Sequence, residues 1–139
     1  MFWDSSALLA ALIPEARSEG ITDRLRSDTK PVAWWASPIE CRSALERRRR
    51  EERLPAGDLK RAVDRLAWFI QDLDFVAPSL KLRERADQLL TAHPLRAGDA
   101  LQLAAALVWS DDAPRGQSFV CLDDQLSEAA RREGFAVVP

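Results

Sequence analysis

Four acidic side chains stand where they could do chemistry together: Asp4, Glu40, Asp99 and Asp123. Asp4 follows the apolar pair Phe2-Trp3 and precedes the serine-led run Ser5 to Leu12, a strand-to-helix junction. Glu40 closes Ser37-Pro38-Ile39-Glu40, which matches a capping box with proline at the first helical position. Asp99 opens an apolar stretch, Leu95 to Trp109, and Asp123 directly follows Ser118-Phe119-Val120-Cys121-Leu122. Taken singly, each acid has an adequate explanation as a helix cap or first-turn acid. Brought to one place, they do not. Two carboxylates about 4 Å apart at an effective dielectric near 20 repel by roughly 4 kcal/mol, so the group must hold a proton or a cation. With oxygen donors alone, the cation is a hard one, Mg²⁺ or Mn²⁺. Such an ion polarises a phosphoryl oxygen and activates water, the chemistry of phosphodiester hydrolysis.

The elements that must position these acids follow from periodicity. After Asp99 only Gln102 interrupts the apolar run, and a helix apolar on every side is a buried one. Helical spacing is also read from Ala16 to Asp28, from Ser37 through Arg53, from Leu59 to Leu73, from Ser79 to Ala92 and from Asp123 to Glu133. Short β-rich runs at Phe2-Trp3, Val32 to Ala36, Phe75 to Pro78, Ser118 to Leu122 and Phe135 to Val138 read as strands. Strands alternating with helices predict an α/β fold, a parallel sheet of about five strands flanked by helices on both faces. In such a sheet every strand-to-helix junction falls on one edge. All four acids are therefore expected on the same rim.

Composition limits the alternatives. The chain has 139 residues, 47% hydrophobic and 30% charged, which suits one soluble domain spanning 1–139. Its net charge of −2 does not advertise a nucleic-acid partner, so any such partner must meet a local basic patch. Two distant cysteines, Cys41 and Cys121, and a single histidine, His93, argue against zinc and for a reducing compartment. His93, beside Pro94, reads as an incidental turn residue. No run reaches membrane-spanning length and the N-terminus lacks a basic leader, so a cytoplasmic protein without membrane contact is expected.

The ordered motifs resemble those of PIN-domain ribonucleases, and among them the toxins of VapBC-type toxin–antitoxin systems. The matching pieces are Trp3-Asp4-Ser5-Ser6, Ser37 to Glu40, Leu95-Arg96 with Asp99-Ala100 and Leu103-Ala104, and Phe119-Val120 with Asp123, Leu126, Ala129-Ala130 and Gly134. Together they span essentially the whole chain. The resemblance implies a single PIN-like domain whose Asp4, Glu40, Asp99 and Asp123 hold Mg²⁺ or Mn²⁺ for RNA cleavage, with Ser6 as a small polar neighbour. It also implies a cognate antitoxin protein and a homodimer. Cys121 stands where the family usually has Thr or Ser, which implies one polar contact fewer at the site. Asp124 leaves the choice of fourth acid open.

Four consecutive arginines, Arg47 to Arg50, encircle a helix and cannot all face one groove. A solvated helix end, supported by Glu46, Glu51 and Glu52, competes with a role in holding RNA phosphates, for which Arg42 and Arg49 are the candidates. Three alternatives to the ribonuclease stay open: a related nuclease acting on DNA, a phospho-receiver-like domain, and a non-catalytic binding module. The receiver expects a phosphoacceptor Asp after a mid-chain strand and a late lysine, whereas no lysine follows Lys81.

Overall fold

Alternation of short apolar strands with longer helices is what the computed structural model displays over the residues it describes, 1–13 and 19–139. The order is β1 (Phe2–Trp3), α1 (Ser5–Leu12), α2 (Glu19–Ser27), β2 (Val32–Trp34), α3 (Ser37–Arg50), α4 (Ala56–Phe69), β3 (Asp74–Val76), α5 (Leu80–Ala92), α6 (Ala97–Trp109), β4 (Ser118–Val120), α7 (Asp124–Glu133) and β5 (Ala136–Val138). All strand pairs are parallel and form one sheet in the order β3-β2-β1-β4-β5. The chain is α/β, as the alternation predicts.

Two cores sandwich the sheet, and the two-residue repeat of a strand divides each strand between them. Phe2, Val32, Trp34 and Phe119 join the core made with α5, α6 and α7; Trp3, Ala33 and Val120 join the one made with α1 to α4. The faces follow from handedness. From β1 the chain moves outward to β3, then jumps back past β2 and β1 to β4, and right-handed connections require the helices to change face when the direction reverses. The returning crossover is α5 and α6. Residues Ala100 and Gln102 to Leu107 of α6 are all buried, with α5, β2 and β3 packed against the helix. A buried Leu103→Ala substitution there costs about 2–5 kcal/mol.

Several boundaries differ from the sequence reading. Helix α2 begins at Glu19, and the part of the expected helix at 16–18 lies outside the described residues. Strands β2 and β4 are shorter, because Trp35-Ala36 turns into α3 and Cys121-Leu122 leaves the ladder. Helix α4 begins ahead of Leu59, where helical spacing is first read: Pro55 is its N-cap, and Asp58 sits in its first turn. His93 is no incidental residue. It is buried, and its Nε2 lies 2.7 Å from Glu133 Oε1, tying the end of α5 to α7. Gly134 ends α7 with φ of 107°, a left-handed conformation that glycine adopts without a Cβ penalty. Among the described residues no helix is long and apolar enough to cross a membrane.

Candidate active site

The sheet reverses its order between β1 and β4, and the crevice beyond the carboxyl ends of the strands at such a reversal is where open α/β sheets bind ligands. A cleft of about 620 Å³ opens there. Asp4, Ser6, Glu40, Asp99 and Asp123 all line it, together with Arg47. The four acids read from the sequence thus share one cavity, delivered by the starts of α1, α3, α6 and α7.

Asp4 is the innermost. Its backbone N–H donates to Val120 O at 3.0 Å, extending the β1–β4 pairing, and its side chain is 2% exposed. Carboxylate Oδ2 caps α1 by accepting from Ser6 N at 2.9 Å, and it also accepts from Cys121 Sγ at 3.5 Å. Burial pushes the carboxyl pKa up to about 6, with the hydrogen bonds from Ser6 and Cys121 pulling it down and the charge of Glu40 adding to the rise.

Glu40 does not close a capping box. The N-cap of α3 is Ala36, without a side-chain cap, and Ser37 is already the first helical residue and fully buried. The reason is Gln102, whose Nε2 donates to Ser37 Oγ at 3.0 Å and to Glu40 Oε2 at 2.7 Å. The serine and glutamate of the motif are drawn to α6 rather than to each other. Asp99 lies in the first turn of α6 behind the N-cap Arg96. Burial raises its pKa and the charge of Asp123 raises it further, while the Arg96 backbone and guanidinium oppose the rise.

Asp123 is the N-cap of α7, with Oδ1 accepting from Leu126 N at 2.8 Å. Asp124, the first residue of that helix, turns to a neighbouring cavity. Of the two adjacent acids, Asp123 is the one in the cleft. Cys121 is more than a substitute for a missing hydroxyl: besides donating to Asp4, its sulfur accepts from Asp123 N at 3.3 Å and lies 3.7 Å from Ser6 Oγ. Ser6 Oγ in turn accepts from Leu122 N at 2.9 Å. Burial, then the charge of Asp4, pushes the Cys121 thiol up to about 12, so it stays a proton donor.

The arginines separate by helical face. Arg42 and Arg49 both hold Glu46, at 2.6 and 3.0 Å, and neither lines the cleft. Arg47 does. It stands seven residues after Glu40, two helical turns on the same side, and that spacing is the signal from which it could have been found. Gln102 likewise had a signal, as the one polar residue inside a buried helix.

The donor set fits a hard cation. Asp4, Glu40 and Asp123 each spend one carboxylate oxygen on a hydrogen bond that fixes the side chain, which leaves the other oxygen to coordinate. The acids share the cleft without closing on one point: among the described residues no three His, Cys, Asp or Glu side chains form a group that could hold a metal ion as they stand. A bound cation would have to draw them inward. Comparison with models of known protein families gives no match, and neither does comparison with curated proteins. A functional reading rests on the site itself.

Proposed function

We propose that this chain is a metal-dependent endoribonuclease of the PIN-domain kind, hydrolysing RNA phosphodiester bonds as the toxin of a type II toxin–antitoxin pair. The observation that carries the reading is the convergence of Asp4, Glu40, Asp99 and Asp123 on one cleft at the reversal point of a parallel sheet. Mg²⁺ or Mn²⁺ held by these four acids would supply a polarised phosphoryl oxygen and an activated water. The chain's own residues do the rest. Ser6 N and Cys121 fix the orientation of Asp4, Gln102 that of Glu40 and Leu126 N that of Asp123, so the acids are aimed before substrate arrives. Arg47 offers a guanidinium to a strand phosphate at the cleft wall.

The reading explains why two acids that do cap helices, Asp4 and Asp123, also sit in a pocket with two that do not. A phospho-receiver-like domain fits less well, because flavodoxin-like sheets run 2-1-3-4-5 and this one runs 3-2-1-4-5. The antitoxin and a homodimer belong to the same proposal, as does residence in the cytoplasm. The test is cleavage of single-stranded RNA by the purified chain with Mg²⁺, with Mn²⁺ and with chelator. Cleavage that needs the metal and disappears in Asp99→Asn supports the reading; cleavage of DNA but not RNA, or none, contradicts it.

A further inference from the structure

The four-acid cleft poses a charge problem for an anionic strand. Among the described residues Arg47 is the one cation in its lining, against four carboxylates, so holding phosphates there calls for further positive charge nearby. A second cavity, of about 510 Å³, lies on the other side of the Cys121-Leu122 segment. Arg24 of α2 lines it, as do Leu122, Asp124, Ser127 and Arg131 around α7, and the end of β5 closes it. Cys121 is the common wall: it lines this cavity while its sulfur contacts Asp4 and Asp123 of the cleft. The adjacent acids Asp123 and Asp124 part to the two sides of that wall.

Three features of this cavity call for an anion. Arg24 Nε is buried and has no hydrogen-bond partner among the described residues, an arrangement that costs stability unless a ligand completes it. None of the ion pairs found among the described residues involves Arg24 or Arg131. Among the described residues lining it, which include Val137 of β5 and Pro139, Asp124 is the single carboxylate side chain set against the two guanidiniums, and the volume is that of a small-ligand pocket. Resting on the ribonuclease reading, we infer that Arg24 and Arg131 form a phosphate subsite for the substrate strand. Single-stranded RNA then runs from Arg47 on the α3 side, over the four acids, and seats one backbone phosphate between α2 and α7. Asp124 weakens that contact and so tempers affinity.

The test uses the full chain silenced by Asp99→Asn, with Mg²⁺ present, and a fluorescein-labelled single-stranded RNA followed by anisotropy over a salt series. Arg24→Gln and Arg131→Gln are expected to bind more weakly, with a plot of log affinity against log salt less steep by about 0.7 for each phosphate no longer neutralised. Arg131→Lys keeps most of the slope. Asp124→Asn binds more tightly than its parent, which keeps the idea testable even where an arginine variant folds poorly. Cleavage by the wild-type chain is measured alongside. Normal cleavage with unchanged affinity and slope in the arginine variants overturns the subsite alone; absence of cleavage by the wild type overturns the ribonuclease reading and the subsite with it.

Discussion

Gln102 Nε2 lies 2.7 Å from Glu40 Oε2 and 3.0 Å from Ser37 Oγ, so the one polar side chain in the buried run of α6 holds an acid of the cleft in place across the sheet's edge. Gln102 is 1% exposed and Ser37 is fully buried, so water cannot replace what it donates to the serine. Gln102→Leu should therefore cost about 1–3 kcal/mol of stability by leaving the Ser37 hydroxyl unpaired, read from urea denaturation. The same variant should also gain less stability from Mg²⁺, because Glu40 loses its aim. A variant as stable as the wild type would mean that the bond is idle.

Stability of the metal-free protein should depend on pH through Asp4. Burial holds its carboxyl at about 6 in the folded chain against an ordinary 3.8, so between these values the folded state binds more protons than the unfolded one. Stability attributable to Asp4 is then full below pH 4 and lost as pH rises through 6. A rise of that size corresponds to at most roughly 3 kcal/mol. In chelator at pH 7.5, Asp4→Asn should be more stable than the wild type, and the two curves should converge near pH 4. Asp4→Asn less stable throughout would contradict this role for the buried carboxyl.

Gly134 makes a purely structural control. Its φ of 107° lies in the left-handed region, and a Cβ there would meet Pro114 Cγ at 3.4 Å. Gly134→Ala should cost about 1–2 kcal/mol in thermal or chemical unfolding. Its Mg²⁺-induced stabilisation should equal that of the wild type, since the residue is at the opposite end of α7 from Asp123. A changed metal response would show that the two ends of the helix are coupled.

Much of this architecture is legible in the sequence because it rests on local patterns. The strand at Val32, the buried helix after Asp99 and the junction at Asp4 follow from periodicity, and parallel pairing then sends the acids to one edge. What stays hidden depends on partners distant in the chain. Ser37 and Glu40 spell a capping box, yet Gln102, more than sixty residues on, outcompetes the local bond. Cys121 reads as a missing polar group because a thiol's donation to Asp4 is visible only once β1 and β4 lie side by side. Charge alone points to Arg42 and Arg49; helical phase, which gives their face to Glu46 and the cleft to Arg47, is the better guide.

The central claim is that four acids share one cation site rather than serving as independent caps, and Asp123→Asn separates the two because asparagine caps a helix about as well as aspartate. The measurement is a pair of denaturation curves, in chelator and in saturating Mg²⁺, for the wild type and for Asp123→Asn. A shared site predicts that the wild type is stabilised by the metal through mass action, that the variant gains much less, and that in chelator the variant is at least as stable as the wild type because repulsion with Asp99 is relieved. Equal stabilisation of both proteins by Mg²⁺, or none of either, would contradict it.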